Sequence, residues 1–214
     1  MIIKQYKLNK EIIKDINFFL LYGSNEALIE EAIDKIFKPN CSKNIYNYEE
    51  NEILANVQDF QENIYNKSFF ESDKLIIINR ATDKLLTLFK DIIEKKVFDL
   101  KIIIKCGLLE KKSKLRNFFE KNNGLAIVAF YDDNFQSLLS FTQNFFSTNK
   151  IKISSQNINF IIERCNGNRL TLKNELEKIL LYTQKKSTLN IEDILKLINN
   201  NENLEISELA DQCL

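Results

Sequence analysis

The sequence has no histidine among its 214 residues. Histidine is the commonest general base in enzymes and the usual partner of a nucleophilic serine or cysteine. Its absence excludes Ser–His and Cys–His catalysis, so hydrolytic enzymes of those classes do not fit this chain. Glycine is scarce, with four residues, and proline occurs once. The glycines stand between apparent elements, where a turn or a helix end can use a residue without a Cβ atom.

A metal site is not indicated either. Cys41, Cys106, Cys165 and Cys213 lie far apart in the sequence, and no C-x-x-C pair occurs. Structural zinc sites are usually built from locally paired ligands. We therefore predict four reduced, mostly buried thiols, no metal and no cofactor.

The chain has no net charge, because 30 Lys and Arg residues balance 30 Asp and Glu residues. A chain without net charge has no global field that attracts nucleic acid or an anionic membrane, so a DNA contact must be local or shared with partners. Lys and Glu interrupt the apolar residues of the N-terminal segment MIIKQYKLNKEIIKD. No apolar run approaches the length of a membrane span or a signal peptide. The expected location is the cytoplasm.

The most informative segment is FFLLYGSNEALIEEAIDKIF, residues 18–37. An apolar strand reaches Gly23, a polar turn follows, and a helix begins near Asn25, which is the order of strand, phosphate loop and helix in nucleotide-binding domains. A working phosphate loop needs several glycines, a lysine for the phosphates and a Ser or Thr for magnesium. The loop at 23–27 has one glycine and no lysine, and Glu26, Glu30 and Glu31 stand where phosphate charge would lie. The scaffold is therefore expected without its phosphate chemistry.

Strands and helices alternate in the first part of the chain. Strands are predicted at 18–23, 44–48, 74–79, 100–106 and 125–131, and helices at 25–37, 51–65, 83–96 and 111–122. The runs at 74–79 and 100–106 are almost wholly apolar, which is typical of strands covered on both faces of a parallel sheet. Later segments show only helical patterns, at 134–149, 154–166, 168–185 and 190–200.

These patterns predict an α/β fold. Residues 1–133 are expected to form a RecA-like or AAA+ three-layer α/β domain with a parallel sheet, and residues 134–205 a small all-helical lid domain. Residues 206–214 begin another amphipathic helix, which we interpret as the start of a truncated third helical domain. An ATPase core followed by its lid has this arrangement.

Three positions besides the loop do not suit an ATPase. The third strand ends in IIINRATDK, without acidic residues for magnesium at its tip, and Asp83 is expected to cap the next helix. The fourth strand ends at Lys105 and Cys106, where a residue that senses the γ-phosphate would lie. Arg169 comes one residue before the usual place of the lid arginine that reaches the phosphates. The four failures together predict that the chain does not hydrolyse ATP.

With these features the chain resembles a known family, the delta subunit of the bacterial DNA polymerase III clamp loader. The resemblance rests on FLLYGSNEALIEEAIDKI, LLEKKSKLRNFFEKN, ERCNGNRLTLKNELEKILLYT and STLNIEDILKLI. It implies a subunit that opens the beta sliding clamp for loading onto primed DNA, without catalysis of its own. The implied partners are the clamp, the delta-prime and gamma/tau subunits, and primed DNA within the complex. Family members carry a third, helical collar domain, and this chain stops where that domain would begin.

The segment NKSFFESDKLIIIN holds the candidate protein-binding residues, Phe69 and Phe70. Neither strand alternation nor helical spacing buries both rings in this polar connection, so at least one is expected to face outward. Exposed aromatic pairs framed by polar residues are typical anchors for a partner's pocket. The resemblance implies that this pair is the wedge that enters the clamp. The alternative is that one or both rings fold under the edge of the sheet, while Leu75 and Ile76 anchor the strand that follows.

Lys111, Lys112, Lys114 and Arg116 form the densest basic cluster. A helix face in solvent is the commoner explanation of such a cluster, and contact with DNA is the alternative.

Two other functions remain open at this point. Another loader subunit, of the delta-prime or motor type, would typically show a cysteine-rich zinc module and a Ser-Arg-Cys finger, and neither occurs. An enzyme with a nucleotide cofactor would need a glycine-rich first loop and an acidic residue after the second strand. Glu49 and Glu50 supply the second feature, but Gly23 alone does not supply the first.

Overall fold

The computed structural model of the chain describes residues 1–41, 44–65, 74–95, 100–183 and 191–198. They divide into two compact units at Asp132 and Asp133. None of the described helices is long and apolar enough to cross a membrane.

The first unit is built on a parallel sheet of six strands. They are β1 (Ile2–Lys4), β2 (Phe18–Gly23), β3 (Asn44–Glu49), β4 (Lys74–Asn79), β5 (Leu100–Cys106) and β6 (Leu125–Phe130). Their order across the sheet is β1-β6-β2-β5-β4-β3, and every neighbouring pair is parallel. Because the strands are parallel, the carboxyl ends of β2, β4, β5 and β6 lie along one edge of the sheet.

Helices follow the strands as in other α/β folds. They are α1 (Glu26–Ala32), continued by a π-helical turn at Ile33–Phe37, then α2 (Glu50–Ala55), α3 (Val57–Tyr65), α4 (Leu86–Glu94) and α5 (Lys114–Lys121). A 3₁₀ turn at Asp83–Leu85 leads into α4.

Both faces of the sheet are buried. Phe18, Leu20 and Tyr22 alternate with Phe19 and Leu21 along β2, and the two sets belong to different core clusters. The first cluster contains buried residues of α2, α3, α4 and α5, whereas the second contains buried residues of α1 and of the segment that precedes β2. The sheet is thus the middle of three layers, and the predicted fold class is confirmed.

The second unit is helical. It contains α6 (Phe135–Thr148), α7 (Ser155–Arg164), α8 (Arg169–Thr183) and α9 (Ile191–Leu197). Leu172, Leu176 and Ile179 of α8 are fully buried in its core, as their helical spacing predicts. Ser154 and Asn168 accept hydrogen bonds from the backbone N–H groups three residues later, so both act as the predicted N-caps.

Several details differ from the predictions. β1 was not predicted. The helix predicted at 51–65 is two helices, because the backbone of Asn56 leaves the helical region between them. The helix predicted at 111–122 begins at Lys114, after the N-cap Ser113. The predicted start of a third domain at 206–214 lies outside the described residues.

Candidate functional site

The degenerate loop at 23–27 lies at the carboxyl edge of the sheet, between β2 and α1. Gly23 has φ +145°, and a Cβ atom built there would lie 1.8 Å from the carbonyl oxygen of Phe130. Asn25 N–H donates to the same carbonyl at 3.4 Å, and Gly23 N–H donates to Gly107 O at 3.2 Å. The one glycine of this loop is therefore required by contact with β6, without any need for a phosphate.

The backbone N–H groups of Gly23, Asn25, Glu26 and Leu28, in the loop and first helical turn, have acceptors in the protein. Besides Gly23 and Asn25, Glu26 N–H donates to Ser24 O at 3.2 Å and Leu28 N–H to the Asn25 side chain at 3.1 Å. The Asn25 side-chain amide in turn donates to Tyr131 O at 3.3 Å. In a phosphate loop such N–H groups point at the ligand. Here they stabilise the turn itself.

Lys105 lies near the carboxyl end of β5, on the same edge of the sheet as this loop. Its Nζ donates to Oδ1 of Asn79 at the end of β4, at 2.9 Å, and forms an ion pair with Glu30 of α1. The Lys105 side chain is only 18% exposed. The tips of β4 and β5 and the first helix are thus joined by side chains of the protein, and this was not predicted from the sequence.

Asp83 does not have the predicted role. Thr82 caps the turn that leads into α4, by accepting a hydrogen bond from Lys84 N–H at 3.3 Å. The Asp83 carboxylate instead accepts from Ser113 Oγ at 2.7 Å, Leu115 N–H at 2.9 Å and Lys114 N–H at 3.0 Å, at the start of α5. Partial burial acts to raise the pKa of Asp83, but these hydrogen bonds outweigh it and lower that pKa below its usual value. The residue is engaged with a neighbouring helix rather than with a metal.

The acidic residues after β3 also have structural partners. Glu49 caps α2 in a reciprocal arrangement with Glu52, whose carboxylate accepts from Glu49 N–H at 2.9 Å. Glu50 is buried, and its carboxylate accepts hydrogen bonds from the N–H and, at 2.9 Å, the hydroxyl of Thr82. These contacts give both glutamates a structural role, so neither is needed to bind the ribose of a nucleotide cofactor.

Arg169 is held within the second unit. Its Nη1 lies 3.1 Å from Oδ1 of Asp133, and its guanidinium carbon lies 4.1 Å from the centre of the Phe141 ring. The side chains of Arg169 and Asp133 are 12% and 4% exposed. Arg169, the arginine at the lid motif, thus pairs with the buried Asp133 carboxylate and packs on the face of the Phe141 ring.

A family model supplies the decisive comparison. The model described as DNA polymerase III, delta subunit, matches residues 19–130, which is just over half of the 214 residues. This chain belongs to that family. The family resemblance inferred from the motifs is thereby confirmed.

Solved structures agree with this assignment at the level of the fold. The Bacillus subtilis DNA clamp loader delta protein (YqeN) matches with a TM-score of 0.59 and 13% identity, over 89% of the chain and 60% of that protein. The Thermotoga maritima RuvB Holliday junction branch migration motor matches with a TM-score of 0.53 and 16% identity, over 88% of the chain and 63% of that protein. The delta-family chain therefore spans about three fifths of the length of these structures. No curated protein matches its sequence significantly.

The predicted wedge of this delta-family chain, Phe69 and Phe70, falls in the segment 66–73, outside the described residues. The described elements on either side are α3, which ends at Tyr65, and β4, which begins at Lys74. Leu75 and Ile76 are buried on opposite faces of β4. The position of the wedge remains a prediction from the sequence.

The basic cluster of the delta-family chain divides into two parts. Lys111, Lys112 and Lys114 are exposed, whereas the Arg116 side chain is only 19% exposed. Arg116 donates from Nε to Glu120 at 2.8 Å and from Nη1 to Leu109 O at 3.1 Å. Arg116 is therefore not part of a solvent-facing basic surface.

The described cysteines do not form a site. Cys106 and Cys165 are buried and Cys41 is partly buried, and none of these three described cysteines forms a disulfide bond. Burial raises the pKa of Cys106, and it raises the pKa of Cys165 to about 11, so both thiols are protonated near pH 7. Within the described ranges, no three or more Cys, Asp or Glu residues are placed to hold a metal ion. Cys213 lies outside those ranges.

Proposed function

We propose that this chain acts as a clamp-loader delta subunit, which binds the beta sliding clamp and opens the ring for loading onto primed DNA. Its family membership supports the general role. The observation that carries the absence of ATP hydrolysis is the contact of Lys105 with Glu30 and Asn79 at the sheet edge. ATP would then act in partner subunits of the loader.

Electrostatics at the loop supports this division of labour. A bound triphosphate would approach the carboxylates of Glu26 and Glu30, both on exposed residues, while the N–H groups of Gly23, Asn25 and Glu26 already have acceptors. Its binding would also separate Lys105 from Glu30. Repulsion, lost hydrogen bonds and a broken ion pair all oppose nucleotide binding, with no catalytic lysine in the loop to offset them.

The mechanism would be mechanical. Phe69 and Phe70 would insert into a pocket of the clamp, where burial of each ring contributes about 1.5–3 kcal/mol. The rings shift the ring-opening equilibrium only if they bind the open clamp better than the closed one, and the shift equals that difference in binding free energy. β4, buried on both faces, gives the segment a firm attachment at Lys74.

The partners in this role are the delta-prime and gamma/tau subunits, with primed DNA in the assembled complex. The location in the cell is the cytoplasm, where replication takes place.

A pull-down against the cognate beta clamp tests the proposal. The double variant Phe69→Ala/Phe70→Ala is expected to lose most clamp binding with little change in melting temperature, because the proposed wedge would contact the clamp and not the core of the chain. Leu108→Ala/Leu181→Ala is the matched control, since it also removes two exposed apolar side chains, which are 74% and 64% exposed. The control should bind the clamp like the unchanged chain.

Equal clamp binding by the unchanged chain and the phenylalanine variant would reject the wedge. A large fall in melting temperature of that variant would instead show that the rings pack within the protein.

A further inference from the structure

A pocket of about 420 Å³ lies beside the edge strand β1 in the first unit. Its wall includes Ile2, Lys4, Tyr6, Tyr22, Arg116 and Tyr131. None of the loop residues 23–27 lines it. Its volume is within the range of small-molecule sites, which run from about 300 to 1,000 Å³.

The topology explains why the sheet is open here. Along β1, Ile3 is buried in the core layer beneath α1, so Ile2 and Lys4 point to the opposite face. On that face α5 packs against β6. Ile2 is 69% exposed. Ile2 and Ala129 thus form an apolar floor between α5 and the edge strand β1, with the buried Ile127 beneath them.

A fixed guanidinium stands at one wall. The guanidinium carbon of Arg116 lies 5.2 Å from the centre of the Tyr22 ring. Hydrogen bonds that the guanidinium donates to Glu120 and to Leu109 O hold it in place. Those two bonds use two of its five N–H groups, which leaves three for an acceptor in the pocket. Burial and a hydrogen bond with Tyr131 raise the pKa of Tyr22, so its hydroxyl stays neutral near pH 7.

The charged side chains in the wall are Lys4, Arg116 and Glu120. Their sum is one positive charge, which favours a ligand with one negative charge. An apolar floor with a few fixed polar groups is the usual composition of a site that orients a small ligand.

We propose that this pocket binds a small amphipathic anion, whose planar apolar body lies on Ile2 and Ala129 and whose acidic group contacts Arg116. The acidic group is a carboxylate or sulfonate, because each carries one negative charge and presents the oxygen atoms that a guanidinium binds in a fork. The site is separate from the clamp-binding role, and its test does not involve the clamp.

Two dyes with almost the same body test the proposal. The anion 8-anilinonaphthalene-1-sulfonate is expected to bind at one site per chain with a rise in fluorescence, and N-phenyl-1-naphthylamine is its neutral counterpart. Arg116→Gln should weaken binding of the sulfonate by about tenfold, as expected for a lost hydrogen bond to a charged group, and leave the neutral dye nearly unaffected. Lys121→Gln removes an exposed charge from the same helix and should change neither affinity.

A second variant tests the position of the body without altering charge. Ala129→Leu places a larger side chain on the pocket floor and should abolish binding of both dyes, while the circular dichroism spectrum is unchanged. The proposal is overturned if the sulfonate does not bind saturably at millimolar concentration. It is also overturned if Ala129→Leu binds both dyes like the unchanged chain, or if Arg116→Gln weakens both dyes equally.

Discussion

Replacement of Gly23 by alanine tests whether the loop glycine serves the fold or a ligand. The new Cβ would lie 1.8 Å from Phe130 O, whereas real Cβ contacts are essentially never under 3.0 Å. Either β2 or β6 must therefore move. Both strands lie in the interior of the sheet and pair with each other along their whole length.

The expected cost has three parts. Alanine at φ +145° is strained by about 1–3 kcal/mol. The hydrogen bond from Asn25 N–H to Phe130 O would be lost, at about 1 kcal/mol. Displacement of a strand edge in a close-packed core adds about 1–3 kcal/mol. We expect a total loss of about 3–7 kcal/mol, a large part of a typical domain's stability.

Gly124→Ala is the matched control. Gly124 also has a positive φ, +84°, but a Cβ atom there would meet nothing within 4 Å. Its cost should be limited to backbone strain, about 1–2 kcal/mol. Hydrogen exchange measured by mass spectrometry on peptides from β2 and β6 gives the local free energy of opening for each variant.

Equal losses of protection in Gly23→Ala and Gly124→Ala would refute the reasoning, because the close approach to Phe130 would then carry no cost. A Gly23→Ala chain with native protection would mean that the glycine is not required by the fold.

Two further substitutions test contacts that replace the nucleotide chemistry. Asp83→Asn should destabilise the start of α5 by about 1 kcal/mol at pH 7, measured by hydrogen exchange, with the exposed Asp91→Asn as control. Because the folded pKa of Asp83 is lowered, its contribution is present above the unfolded value of about 3.9 and disappears as the pH falls through the folded pKa. The difference in stability between the unchanged chain and Asp83→Asn should therefore shrink below about pH 4. A stability difference that grows there would contradict the assignment. Arg169→Leu should destabilise α8 by about 3 kcal/mol, because it leaves Asp133 buried without its cation. Lys173→Leu, on the exposed side of the same helix, should change the stability by no more than about 0.5 kcal/mol. Equal effects of the two substitutions would reject a buried ion pair between Arg169 and Asp133.

The elements predicted well are those whose signal is local. The apolar runs of β4 and β5 required burial on both faces, and their bounds match the predictions at 74–79 and 100–106. The seam of α8 was visible in its helical spacing. In each case short-range periodicity and burial give the same answer.

The misses come from contacts between residues distant in sequence. β1 has three residues, too few for a pattern, and it is a strand because β6 pairs with it. The bond from Asp83 to the start of α5 spans about 30 residues, and no local rule links them. The same holds for Lys105 and Glu30, 75 residues apart.

The candidate site was predictable in one respect only. The loop sequence shows which phosphate-binding groups are missing, but it cannot show what replaces them. Lys105, read as a failed position for sensing phosphate, is the residue that closes the site. Arg116 belongs to a basic cluster in the sequence, but in the structure it lines a pocket, because Tyr22 and Glu120 hold it there.

Titration calorimetry of magnesium–ATP into the purified chain tests the central claim most directly. The account predicts no saturable heat at millimolar nucleotide and no phosphate release above the blank, because the loop has no lysine for the phosphates, its carboxylates repel a triphosphate, and Lys105 is already paired with Glu30. Saturable binding in the micromolar range, or turnover of ATP by the chain alone, would contradict it.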